Sequence, residues 1–521
     1  MTATESVKTL ENRVIEPLRS RGWYAWWALR ETRGSDEGLQ SDASTVQSAP
    51  RGGLGELRAQ APFDQTEVAV WQIVLTTLGG GVGSGFLLAG GFTIFSAGPG
   101  GALVAFGISV AMLFAVMTSL IEVREAMGEA GPYYMLVVRV LGAAVGAAIA
   151  WNFWLLWVSI AAYEVVAVGY IVRFWAPHVH PAVWGPVALV CCAGVAAGNS
   201  RWYARAEHAF SVLRLGAVLA LVVVGALVAS GRVGGHAYGT ENWRHGEAPF
   251  VGGVVGIIAA TVYSNFSVVG VEAAAAMAVK SRKATRVVPV AVCGTLAVVF
   301  LSSVLVVGLV VPYDSGWFRT GEVGDSAASS VFTFITEQAR MYAAAHVVNV
   351  LLLASALFDC CASLYVAAAL LGDLATRALA PQWVRGHPAR SLAACTALAL
   401  AGWGLGCINP EYALAILAGA IGVGGSITWC TIAYMHCSLR WSRRLKEKRS
   451  SAVHYRAPLF PLGPLLCLAY LPATLTTLVV LAVWAGFSAQ LFLFATAQLF
   501  VFLILVAAAA IAQRFGFCCC S

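Results

Sequence analysis

The sequence predicts an all-α integral membrane protein of about twelve transmembrane helices. Three observations predict it. The 521 residues are 59% hydrophobic and only 11% charged, against roughly 25% charged in a soluble chain. The mean hydropathy is +0.76. Apolar segments long enough to cross a bilayer, roughly 20 residues each, recur with only short polar breaks between them. A soluble exterior cannot absorb so much apolar surface, whereas lipid can.

The predicted spans are 68–94, 100–121, 142–172, 182–198, 208–229, 251–278, 288–311, 346–371, 391–407, 412–436, 464–486 and 489–512. A cytosolic tail, 1–67, precedes the membrane domain of 68–513, and a short cysteine-rich cytosolic end, 514–521, follows it. The tail is polar, with no apolar core before a cleavage site, so no cleavable signal is expected and the first span inserts the chain. Trp23, Tyr24, Trp26 and Trp27 beside arginines fit either an interfacial helix or a segment packed under the membrane domain. With a cytosolic N-terminus and twelve spans, 27 of the 33 Lys and Arg residues fall on the cytosolic side, five fall outside and Arg214 lies within a span. This asymmetry follows the positive-inside rule. The basic loop from Arg440 to Arg456 is read as a topology determinant facing anionic lipid rather than a nucleic-acid site.

The thirteen cysteines lie mostly inside apolar runs, for example Cys191, Cys192, Cys360, Cys361, Cys395, Cys407 and Cys430. They read as small hydrophobic residues, and no metal or cofactor site is expected. Cys518, Cys519 and Cys520 follow the last span, where S-palmitoylation is plausible chemistry.

Breaks inside spans mark sites, because bare backbone is tolerated at membrane depth only against protein or a wet cavity. The strongest is Gly79-Gly80-Gly81-Val82-Gly83-Ser84-Gly85. Five glycines in seven residues each cost a helix roughly 1 kcal/mol relative to alanine. A helix broken there turns free N–H groups toward an anion; small-residue helix packing is the competing reading. The corresponding break in the sixth span falls in Tyr263 to Glu272, where Gly270 is its one glycine. Ser264, Asn265 and Ser267 offer polar contacts there, and Phe266 an aromatic cover. Ionisable residues within spans are costly and are functional candidates by default. They are Glu122, Glu164, Glu207, Arg214, Glu272, Asp359 and His346. Glu122 and Glu207 lie near cytosolic ends, where they can reach water or pair with arginines. Glu272 lies deeper, beside the expected break, and Asp359 within the eighth span, and a buried carboxylate is the simplest carrier for a coupling proton.

Several of these segments resemble one family in order and spacing. The 79–85 glycine stretch resembles its GGTIGTG motif, followed by Gly98-Pro99 and Glu122. Trp151-Asn152-Phe153-Trp154, with Glu164 ten residues beyond, resembles its third helix. Ala206 to Ser211 resembles the opening of its fifth helix, and Val311-Pro312-Tyr313 the end of its seventh. Leu364-Tyr365 and Ala380-Pro381, then Ile427-Thr428-Trp429 with His436, keep the spacing of its eighth and tenth. Ala457-Pro458-Leu459-Phe460-Pro461 with Gly463-Pro464 resembles its most specific tag. The sequence thus resembles the fungal-type amino acid permeases of the amino acid–polyamine–organocation superfamily, from about Gln72 to the C-terminus.

The resemblance implies two inverted five-helix repeats of LeuT type, about 68–229 and 251–437, plus two C-terminal helices at 464–512. It implies proton-driven amino acid uptake at the plasma membrane, with both termini cytosolic. Carried over, Gly80, Gly81, Gly83, Ser84 and Gly85 hold the substrate carboxylate. Phe266, Ser267, Val268 and Gly270 hold its amino group through carbonyls, and Glu272 matches the family's sixth-helix glutamate. The chain departs from the family at Val269 and Val271, where Ser and Thr are expected, and at Lys280 and Lys283 to Arg286. The fifth-helix lysine is Arg214, which cannot give up a proton. The eighth-helix Asn is Cys361, with Asp359 two residues earlier, an acid that favours cationic substrates. Two alternatives accompany the amino acid reading: a polyamine or organocation transporter of the same fold, and a transport-incompetent amino acid sensor. No H-E-x-x-H, G-x-S-x-G or P-loop pattern at a plausible depth marks an enzyme.

Overall fold

The computed structural model describes residues 69–127, 132–198, 200–279, 282–314, 330–377, 379–407, 410–441, 455–484 and 499–508. The aromatic tail segment and Cys518, Cys519 and Cys520 lie outside the described residues.

The chain opens with α1 (Val70–Gly81), α2 (Ser84–Leu87) and α3 (Gly90–Met127). At Gly98 the backbone turns left-handed, φ 72°, ahead of Pro99, so α3 is two helices meeting at a corner. The first span is therefore α1, α2 and α3 as far as Ala97, and the second is the remainder of α3. Both run a few residues past their expected ends. The amphipathic α4 (Tyr133–Leu141) leads into α5 (Ala143–Val172), the third span, which falls within a residue of its expected start. Next come α6 (Trp184–Ala196), α7 (Ser200–Ala229), α8 (Gly253–Phe266), α9 (Ala273–Ala278) and α10 (Arg282–Val310). The short α11 (Val331–Gln338), capped by the Ser330 hydroxyl, precedes α12 (Tyr342–Thr376). The series closes with α13 (Pro388–Gly406), α14 (Pro410–Trp441), α15 (Leu462–Trp484) and α16 (Leu499–Ala508).

Seven of the described helical stretches are long and apolar enough to cross a membrane: Val70–Leu87, Gly90–Met127, Ala143–Val172, Arg205–Ala229, Lys283–Val310, Tyr342–Thr376 and Ala413–Trp441. Shorter apolar helices stand at the fourth, sixth, eleventh and twelfth predicted spans. The sixth is short because it is broken. The chain is thus an integral membrane protein with helices at all twelve predicted places. The connecting helices α4 and α11 were not expected from hydropathy, because each is too short to produce a span signal.

The packing repeats with an offset of five spans. The first span packs on the fifth (α1 on α7) as the sixth packs on the tenth (α8 on α14). The second packs on the sixth (α3 on α8) as the seventh packs on the first (α10 on α1). The third and eighth, α5 and α12, pack on each other, as an exchange of the two halves requires. An odd number of spans per half places the halves in opposite orientation, which is the inverted-repeat arrangement of many transporters. Many of the exposed side chains on the helices are large and apolar, among them Val190, Val254, Val290 and Val298.

Candidate functional site

Both predicted breaks are present, and they face each other. In the first span α1 ends at Gly81, and Val82 closes it by donating its amide to the Leu78 carbonyl at 2.9 Å. Gly83 is fully extended, φ −76° and ψ −167°, before the chain re-enters helix at Ser84. A side chain at Gly83 would stand 2.5 Å from Asp359 Oδ2 and 3.0 Å from the Gly80 carbonyl oxygen. Close approach thus demands glycine here, rather than an unusual φ. In the sixth span α8 ends at Phe266 and α9 begins at Ala273. Gly270 has φ 92°, a conformation L side chains rarely adopt. The Val268 and Val269 amides both turn back to the Asn265 carbonyl, at 3.0 and 2.9 Å, and the Val271 amide reaches the Val268 carbonyl. The Gly270 amide leaves the ladder altogether and donates to Glu272 Oε2 at 2.9 Å. The Phe266 and Ser267 carbonyls are therefore outside the helical ladder. The two breaks touch. A Cβ on Gly81 would meet Val271 Cγ2 at 3.4 Å, and one on Gly85 would meet the Phe266 ring at 3.4 Å. Around Gly80, by contrast, space is open within 4 Å.

The charged residues form two groups. The first surrounds Ser84. Its amide donates to Asp359 Oδ2 on α12 at 2.9 Å, and its hydroxyl donates to Glu164 Oε1 on α5. Arg214, on α7, donates from Nη1 to the Gly79 carbonyl at the end of α1 and to Asp359 Oδ1 at 3.2 Å. Phe210 lies under the Arg214 guanidinium, 4.8 Å from ring centre to Cζ. Arg214, Glu164 and Ser84 are all but fully buried. One cation thus joins α7, α12 and the broken first span.

The second group lies elsewhere. Glu122, near the end of α3, accepts from His436 Nε2 at 3.1 Å, from Arg440 Nε and Nη2 at 2.9 and 2.6 Å, and from the Ala457 amide at 2.8 Å. Phe460 covers the Arg440 guanidinium at 4.3 Å. This clamp fastens α14 and the 455–461 segment to α3, and Glu122 does not reach the breaks. His346 is also remote. Its Nδ1 accepts from the Trp175 indole at 2.9 Å at an exposed end of α12.

Of the predicted site residues, the structure brings together Gly81, Gly83, Ser84, Gly85, Phe266, Arg214 and Asp359. Gly80 borders the open space. Val268 is completely buried. Ser267 Oγ and Glu272 Oε1 are buried with no hydrogen-bond partner among the described residues. The Trp429 indole lies beside the Glu272 carboxylate. Sequence reasoning left three participants out of the site: Glu164, Tyr163 and Trp157. Tyr163 packs edge-on against Phe266, ring centres 4.6 Å apart, and Trp157 lies 3.1 Å from where a Gly270 Cβ would be. Glu164 was visible as an acid in an apolar span, but nothing in its spacing connects it with Ser84. Among the described residues no group of three His, Cys, Asp or Glu side chains is placed to hold a metal ion.

Two discontinuous helices meeting inside an inverted-repeat bundle define a secondary-transporter architecture. The chain belongs to the amino acid permease family, which matches residues 72–520. It is 28% identical over 415 residues to the lysine-specific permease LysP of Escherichia coli K12, covering 78% of this chain and 85% of that protein. It is 29% identical over 410 residues to LysP of Lactococcus lactis, covering 76% and 80%. To the histidine permease HisP of L. lactis it is 25% identical over 405 residues, covering 76% and 84%. These relatives are bacterial and are named as permeases, not enzymes. They support the wider family and give the fungal-type subdivision no support.

Proposed function

We propose that the protein is a secondary active importer of amino acids in the plasma membrane, coupled to protons and working by alternating access. The observation that carries the reading is the contact of the two breaks, Gly81 on Val271 and Gly85 on Phe266, beside the open space at Gly80. The substrate sits there near the midplane. Its carboxylate faces the backbone of 80–85 and its ammonium the Phe266 and Ser267 carbonyls. Ser267, Val268 and Gly270 complete the sixth-span side. Glu272, already bonded to the Gly270 amide, is the carboxylate best placed to link protonation with the shape of the sixth break. Arg214 serves as a fixed charge. The excess of Lys and Arg in alternate loops supports cytosolic termini. The lysine and histidine named in the relatives favour cationic amino acids among the substrates. Asp359 and Glu164 around Ser84 are the observation that favours a second reading, a polyamine or organocation as cargo. Uptake of radiolabelled amino acids and polyamines into proteoliposomes separates the two.

A further inference from the structure

Asp359 divides its two oxygens between different parts of the molecule. Oδ1 takes the Arg214 guanidinium at 3.2 Å, and Oδ2 takes the Ser84 amide at 2.9 Å. An acid present only to neutralise Arg214 has a better geometry available, with both oxygens on the planar guanidinium. That geometry is not used. Arg214 Nε and Nη2 are buried without a partner among the described residues, and so is Glu164 Oε2. The second oxygen of Asp359 is spent instead on a backbone amide inside the stretch where the proposed site receives a carboxylate. It lies next to Gly83, which leaves no room for a side chain, and near the open space at Gly80.

We propose that Asp359 is a specificity-determining residue. Its carboxylate occupies the Ser84 amide when no ligand is bound, and the α-carboxylate of the substrate displaces it. The inference rests on the amino acid reading of the site. Displacement leaves no charge stranded. The released Oδ2 turns to the unused Arg214 donors, and the pair becomes bidentate. A ligand with a weaker acceptor in place of the carboxylate, such as an α-carboxamide, cannot compete with a full negative charge for that amide. Asp359 thereby offsets part of the affinity that a carboxylate gains at that amide, and sets how far the carboxylate is preferred over a ligand that leaves Asp359 in place.

The test measures binding of radiolabelled lysine and histidine to the purified full-length protein, with each amino acid and its α-carboxamide as competitors. In Asp359→Asn the side-chain oxygen still accepts from Ser84 but carries no charge. The expected result is that the amino acid binds about tenfold tighter, the worth of one charge-assisted hydrogen bond. The carboxamide gains less, so the preference for the carboxylate widens. If Asp359→Asn does not fold, Asp359→Asn/Arg214→Gln is compared with Arg214→Gln, and the same widening is expected. A lower melting temperature with unchanged affinities would make Asp359 a structural partner of Arg214 and overturn the proposal. Weaker amino acid binding in the variant overturns it as well. If neither wild type nor variants bind any amino acid while remaining folded, the amino acid reading itself falls, and this assignment falls with it.

Discussion

At Gly83 a single added methyl group would press on the Asp359 carboxylate that holds the Ser84 amide. Its position is already filled by Asp359 Oδ2 and the Gly80 carbonyl. Gly83→Val is expected to insert into the membrane normally, because the hydropathy of the first span only rises, and to lose uptake. Surface expression measured beside uptake checks this, and normal transport would remove the break from the site. Glu272 poses a different question. One oxygen holds the Gly270 amide at 2.9 Å, and the carboxylate is buried beside the Trp429 indole. Glu272→Gln keeps an acceptor for Gly270 but cannot ionise. Transport is expected to weaken and its pH dependence to flatten. An unchanged pH profile would assign Glu272 to holding the backbone turn alone. At this scale the sequence was legible where chemistry is concentrated. Glycine density announced the first break, and an acid at depth announced Glu272 and Asp359. What Asp359 touches was not legible, since Ser84 and Arg214 lie 275 and 145 residues away along the chain.

The helices were legible as hydropathy and their interruptions as composition, but unequally. The first break removes side chains from five of seven positions, and helix propensity alone locates it. The sixth break rests on Gly270 at φ 92° and on a glutamate that captures the amide the helix releases. The glutamate was visible as an acid in an apolar run, but the glycine does not stand out, because a single glycine in a membrane helix is commonplace. The short connecting helices were invisible for want of length. The Glu122 clamp belongs to this scale, since it ties α3, α14 and the 455–461 segment into one body. From sequence, Glu122 was a candidate for proton coupling or a buried charge near a cytosolic end, where pairing with arginines was the other reading. Its hydrogen bonds to Arg440, His436 and Ala457 make a structural role the better expectation. Glu122→Ala leaves Arg440 short of a counter-charge and is expected to destabilise the fold by about 3 kcal/mol, the cost of breaking a buried pair from one side. A lower melting temperature, with an unaltered pH profile in the protein that remains folded, is the checkable result.

Over the whole molecule, the offset of five spans in the packing gives two halves that exchange roles. The mechanism proposed uses that exchange. The helices bearing the two breaks rock as a bundle against the rest, and the site opens to one side of the membrane at a time. Alternating loop charge gives the expected topology, because the positive-inside rule acts on the chain as it inserts. The pairing of the third span with the eighth, and of α1 with α7, was not readable from charge or hydropathy, since any apolar helix satisfies those signals equally. The measurement that tests the central claim most directly is uptake into proteoliposomes. Purified protein is given radiolabelled lysine, histidine, an aromatic amino acid and a polyamine, with and without an imposed inward proton gradient. The account predicts amino acid uptake, strongest for cationic substrates and accelerated by the gradient. Folded protein that accumulates none of the amino acids under either condition, or that carries the polyamine alone, would contradict it.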